Sequence, residues 1–259
     1  MTEELHLEVR DGIAWLTVDR PEVRNALSAQ VCRDLAANLG ALADDKSVRV
    51  VVLRGAGEKV FVSGADIREF RESLATPQSA LDYDANAELL QTALRRLPKP
   101  VIAMIQGYAV GSGCIVAVAC DFRIASTAAR FGIPVAKFGF VAPIPDVLRL
   151  AHLVGAARAK WMLMSGKLLD AKRAFEIGLI DELVEPDKLL EATEAFARVL
   201  ADNAPLTLKV TKETIEEYMS PSNDVYAGRK WYEEVFRSRD FGEGLDAFFT
   251  KRKPQFKGE

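Results

Sequence analysis

The sequence predicts an α/β core followed by a helical tail, and three observations carry that expectation. Two runs of mainly β-branched residues without polar alternation, Val48–Leu53 and Val101–Ile105, fit strands buried on both faces. Each is followed by a glycine-bearing loop and the start of a helix, so a strand–loop–helix unit occurs twice, over 48–66 and 101–114. From about Pro145 onward strand patterning gives way to helical periodicity, which assigns residues 1–195 to an αβ core and 196–259 to a helical region.

The elements follow in order. Leu5–Arg10 and Ile13–Val18 flank Asp11-Gly12, a dipeptide suited to a two-residue hairpin turn. Arg20-Pro21 ends the second strand and RPEVRNALS forms an irregular loop. Ser28 is the expected N-cap of a helix through about Asp44, with Leu35, Leu39 and Leu42 on its apolar face. A helix is expected to open near Asp66, and a longer one to span Gln78–Leu97 with Leu81, Leu89, Leu90, Leu94 and Leu97 facing the core. Further strands fall at Asp121–Ser126 and from Arg130. Helices follow at 145–153, 156–164, 171–177, 186–202 and 205–218, with two more between Ser222 and Lys251.

Composition narrows the function. The chain has 259 residues, is 49% apolar and carries a net charge of −3, which argues against a nucleic-acid or membrane-surface protein. No apolar run approaches the ~20 residues needed to span a bilayer. Three cysteines, Cys32, Cys114 and Cys120, read as free thiols in a reducing compartment, and the expected setting is the cytoplasm. No grouping of ligand residues has metal-site spacing. His6 and His152 are expected at the surface.

Lys99–Ala119, KPVIAMIQGYAVGSGCIVAVA, is the stretch around which the chain is organised. A buried strand, a glycine turn and an apolar helix succeed one another there. Gly111-Ser112-Gly113 lets the main chain approach a ligand and leaves the first helical N–H groups without internal partners, a setting that stabilises negative charge. A glycine turn serving close packing is the alternative. The segment is no dinucleotide fingerprint, since Val116 stands where the third glycine would be, and no nucleophile elbow, since Val110 and Cys114 flank it.

Taken together, RPEVRNALS, VFVSGADIREF, KPVIAMIQGYAVGSGC, ACDFRIASTAARFGIP, AFEIGLIDELV and EGLDAFFTKRKPQF resemble the crotonase (enoyl-CoA hydratase/isomerase) family nearly end to end. The resemblance implies a crotonase-like spiral of ββα units and a C-terminal helical region that builds a homotrimer or homohexamer. It implies an acyl-CoA thioester as ligand, with CoA part of the substrate and no separate cofactor. It further implies that the main-chain N–H groups of Ala65 and Ser112, both expected at helix N-termini, hold the thioester oxygen and stabilise an enolate. Val23, Arg24, Ala26, Ala65, Asp66, Ile67 and Arg68 are implied to line the CoA, and Phe248 and Lys251 to reach a CoA site, often that of a neighbouring subunit.

The chain departs from the pattern at two positions. Family hydratases activate water and protonate the α-carbon with two glutamates, and the matching positions here are Ile115 and Val135. Both line the expected substrate pocket and neither can transfer a proton. The loop FVAPIPDVLRL instead brings Asp146 near the acyl group, although an N-cap for a helix over 147–153 is the simpler expectation for it. Glu69, Tyr83 and Asp84 are expected at the surface. Three functions fit: enolate chemistry other than ordinary hydration, including decarboxylation or hydrolysis using Asp146; hydration with a relocated acid; and acyl-CoA binding without turnover.

Overall fold

The computed structural model describes residues 4–70, 75–219 and 237–255. Strands β1 (Leu5–Arg10) and β2 (Ile13–Val18) form the expected hairpin, with Asp11 and Gly12 both at positive φ as its two-residue turn demands. Helix α1 (Ala29–Asp44) starts where expected, with Ser28 Oγ accepting from the Val31 N–H. Three pairs of strands follow: β3 (Val50–Gly55) with β4 (Val60–Val62), β5 (Val101–Ile105) with β6 (Tyr108–Val110), and β7 (Phe122–Ser126) with β8 (Arg130–Gly132). Helix α2 (Pro77–Arg96) lies between the first two pairs, and α3 (Ser112–Ala119) between the second and third.

The first strand of each pair enters a large sheet, ordered β1-β2-β3-β5-β7, and the second enters a small one, β4-β6-β8. Adjacent strands from β2 to β7, and from β4 to β8, run parallel. The sequence expectation of strandlessness after Pro145 does not hold. Beyond helices α4 (Ile144–Val154) and α5 (Ala156–Ser165), β9 (Leu169–Asp170) joins the small sheet. After α6 (Ala171–Glu176), β10 (Glu182–Val184) joins the large one. Runs of two and three residues are too short to show a period.

Residues buried on one face of the large sheet pack with α1, α2 and α3. The other face buries Ile13, Trp15, Val50, Val52, Ile102 and Met104 against Leu189, Ala197 and Leu200 of α7 (Leu189–Asp202). That helix runs unbroken from Leu189 to Asp202. The tail continues as α8 (Pro205–Met219) and α9 (Arg239–Phe249); the other helix expected between 222 and 251 lies outside the described residues. Burial pushes the thiols of Cys114 and Cys120 up to about 12, as suits core cysteines. No described helix is long and apolar enough to cross a membrane.

A buried cation ties helix α8 to the core. Lys212 Nζ donates to Leu94 O (2.8 Å), Lys99 O (3.2 Å) and Asp121 Oδ2 (2.8 Å), and Asp121 Oδ2 also accepts from the Val101 N–H (2.7 Å). Burial pushes the Asp121 carboxyl above its ordinary range and Lys212 pulls it back. Removing the cation leaves a buried carboxylate uncompensated. Lys212→Met is therefore expected to lose about 3 kcal/mol in urea unfolding at pH 7. The Lys212→Met/Asp121→Asn double variant should recover a large part of it; a double variant no more stable than Lys212→Met would contradict this.

Candidate active site

Parallel pairing in the small sheet sets three chain segments side by side at the strands' carboxyl ends, where ligands bind in open α/β sheets. Val62 leads into Ser63-Gly64-Ala65, Val110 into Gly111-Ser112, and Gly132 into Ile133-Pro134-Val135. Gly111 N–H donates to Gly132 O at 2.8 Å, joining the last two. The first two nearly touch: a methyl group built on Gly64 would stand 3.2 Å from Val110 O and 3.9 Å from Ser112 N. Behind them, a Cβ on Gly113 would fall 2.1 Å from Val62 O, so only glycine lets α3 lie so close to β4.

The N–H groups of Ala65 and Ser112 face away from the protein's own acceptors, for different reasons. Ser112 is the first residue of α3, and no side chain caps that end. Ala65 does not stand at a helix start, contrary to the sequence expectation; 67–69 form a turn, and Ala65 sits in a single parallel bridge to Leu27. Leu27 N–H donates to Gly64 O (2.9 Å) and Asp66 N–H donates to Leu27 O (2.8 Å). Extended backbone alternates its polar groups, so the intervening Ala65 N–H points to the opposite side. Neither amide has a hydrogen-bond partner among the described residues.

Both open on a cavity of about 530 Å³. Val23, Arg24, Ala26, Ala65, Asp66, Ile67, Arg68, Ser112, Ile115, Val135, Asp146 and Phe248 all line it. Lys251 does not; it follows the end of α9, exposed. Phe248 lines the cavity of its own chain, because α9 lies across the 135–140 turn: a Cβ on Gly244 would fall 2.2 Å from Phe138 O. Aromatic rings continue this roof, with Phe138 tilted against Phe248 (5.2 Å), Phe140 near Phe70 (5.1 Å) and Phe70 edge-on to Tyr83 (5.7 Å).

The side walls are pinned by the RPEVRNALS loop. Arg24 and Asn25 both adopt positive φ, and the buried Asn25 carboxamide donates to Ala56 O and Val60 O while accepting from the Arg20 N–H. Asp66 lines the cavity but is committed elsewhere. Its carboxylate accepts from Arg68 Nη2 (2.6 Å) and Nε (2.8 Å) and from the buried Arg20 Nη2 (3.1 Å). The Arg68 hydrogen bonds hold this carboxyl below its usual range. It is a strut rather than a base.

Two expectations are corrected. Asp146 is not an N-cap: α4 begins at Ile144, and Asp146 lies within its first turn with a buried side chain in the cavity wall. Nearby, burial and Arg149 pull the Arg95 guanidinium down while Asp146 pushes it up. Tyr83 is no surface residue but part of the wall, and Glu69 caps α1 by accepting from the Ala29 N–H at 2.9 Å. Asp84's side chain lies outside the described residues. Sequence reasoning missed Gln91, a buried wall residue one helical turn beyond Ala87 and two beyond Tyr83.

Fold and cavity together define an α/β protein with two unpartnered main-chain N–H groups, those of Ala65 and Ser112, on one cavity wall. The sequence pattern of the enoyl-CoA hydratase/isomerase family matches residues 8–259, and the chain belongs to that family. It is 34% identical over 249 residues to the short-chain-enoyl-CoA hydratase of Clostridium acetobutylicum, covering 95% of each chain. It is 32% identical to the crotonyl-CoA hydratase of Syntrophomonas wolfei over 98% of each. Among solved structures, a methylmalonyl-CoA decarboxylase in complex with 2-nitronate-propionyl-CoA superposes with a TM-score of 0.90 at 26% identity, over 99% of each chain. An enoyl-CoA hydratase/carnithine racemase from Magnetospirillum magneticum gives 0.83 at 34% identity, over 100% of this chain and 97% of its own.

The Asp66 strut gives a pH-signed expectation. A depressed carboxyl pKa contributes stability that is present above the ordinary value near ~3.9 and is lost as pH falls through the folded value. Asp66→Asn should thus cost about 2 kcal/mol in urea unfolding at pH 7, since the buried Arg20 keeps Glu4 (2.9 Å) as a partner. The gap to the wild type should narrow below about pH 4. A gap independent of pH would rule out the ionised strut.

Proposed function

We propose that this chain acts on acyl-CoA thioesters, holding the thioester oxygen between the N–H groups of Ala65 and Ser112 and stabilising the enolate formed there. The observation that carries this reading is the pair of unpartnered main-chain donors in adjoining loops of one cavity wall. Preorganised donors of this kind need no reorganisation as charge develops, and losing one costs on the order of 3–4 kcal/mol. The mouth of the cavity carries Arg24 and Arg68, both exposed, as suits a phosphate-bearing ligand.

The reaction proposed is not ordinary hydration. Water addition across an enoyl thioester needs one group to activate water and another to protonate the α-carbon. Ile115 and Val135 fill the positions implied for those acids with aliphatic surface. Of the carboxylates lining the cavity, Glu22 is exposed at its edge and Asp66 is bonded to two arginines. To Asp146, buried in the cavity wall, we assign the proton transfer at the α- or γ-carbon of a bound acyl group. The exposed Leu206, Val210 and Ile215 on α8 support assembly into the trimers or hexamers that the resemblance implies.

Two assays test this reading. Crotonyl-CoA should lose its conjugated absorbance no faster than about a hundredth of an ordinary hydratase rate, since a missing general acid–base group is worth 10²–10⁴-fold. Asp146→Asn should lower whatever turnover a panel of acyl-CoAs reveals by about a hundredfold, with CoA affinity unchanged. Crotonyl-CoA hydration at full hydratase rate, or an Asp146→Asn variant of undiminished activity, would overturn it.

A further inference from the structure

Two glutamines are buried in this chain, and they are treated differently. Gln106 is tied into the fold through its nitrogen, Nε2 donating to Gly55 O (2.8 Å) and Val60 O (2.7 Å), while its Oε1 is sealed in the core without a partner. Gln91 is 5% exposed, yet no described residue hydrogen-bonds its carboxamide. Unlike Gln106 Oε1, its polar atoms are not sealed in the core, so a molecule bound in the cavity can reach them. Its surroundings show where that molecule would lie. Gln91 lines the main cavity and also a small side cleft of about 20 Å³ between α1, α2 and α3. Ala65 and Ser112, the donors of the two free amides, line both as well.

We infer that Gln91 is a specificity-determining residue, hydrogen-bonding an uncharged oxygen (a hydroxyl or keto group) on the acyl chain of the substrate. This rests on the acyl-CoA reading above and adds the chemistry of the acyl group to it. A carboxamide both donates and accepts, so it matches either oxygen without a change of charge. A plain alkyl chain in the same place would bury the carboxamide against hydrocarbon with its bonds unmade. A carboxylate fits less well. The cations lining the cavity are Arg24 and Arg68, both exposed, while Asp146 adds a buried carboxyl to the same wall. A second anion there would compete with Asp146 for the nearby Arg95 guanidinium.

Calorimetric titration of the purified protein with CoA, butanoyl-CoA, 3-hydroxybutanoyl-CoA and methylmalonyl-CoA tests the assignment. The wild type should bind the hydroxyacyl thioester about tenfold more tightly than the butanoyl one. Gln91→Leu and Gln91→Met, each checked for folding by thermal melting, should abolish that preference by weakening the hydroxyacyl ligand alone. Equal affinities in the wild type, a preference that survives in either folded variant, or tightest binding of the carboxylate-bearing ligand would overturn the role given to Gln91. If either variant fails to fold, the wild-type preference decides. Binding of CoA with indifference to the acyl group defeats the Gln91 assignment alone, whereas no binding of any of the four defeats the acyl-CoA reading with it.

Discussion

Everything in this site depends on the approach of two backbones that carry no side chains at their point of contact. Gly64 and Gly111 meet where β4 and β6 end, and Gly113 lets the helix behind them settle against Val62. Parallel pairing in the small sheet then fixes the two loops relative to each other, as a single loop could not. Two amides are turned outward as a result, one because a helix has just begun and one because its neighbours bond Leu27 on the other side. Main-chain donors of this kind tolerate substitution of their side chains. Serine at 112 keeps the N–H that any residue but proline would provide there.

The remaining wall decides which chemistry the donors can serve. Ile115, Val135 and a row of aromatic rings make it largely apolar, which strengthens any electrostatic interaction inside. Into that surface the chain sets polar groups from two elements: Asp146 from the first turn of α4, and Gln91 and Tyr83 from one face of α2. Asp66 shows why proximity alone does not define a reactive group. It lies in the same wall, but its oxygens hold Arg20 and Arg68, and through them the loop that shapes the cavity.

Much of this was legible in the residues. The Asp11-Gly12 turn, the Ser28 cap and the fully buried strand at Val101–Ile105 follow from local chemistry that tertiary packing had no reason to override. So did the glycine turn before α3. What stayed hidden was set by packing at a distance. Strands of two or three residues have no readable period, so β9 and β10 were missed. Leu89 belongs by spacing to the apolar face of α2 yet points outward, because the buried stripe runs through Leu90, Leu94 and Leu97. Ala65 gains its free amide from a bridge to a residue far away in sequence, which no local pattern announces. Gln91 left one faint signal: it continues the spacing of Tyr83 and Ala87 beside the buried leucines, a place where a polar residue needs a reason.

The central claim concerns one oxygen atom and two nitrogens. A crystal structure of this chain with a non-reactive acyl-CoA such as butanoyl-CoA should place the thioester oxygen about 2.7–3.1 Å from both Ala65 N and Ser112 N. An oxygen bonded to neither amide, with the acyl group lying elsewhere in the cavity, would contradict the account.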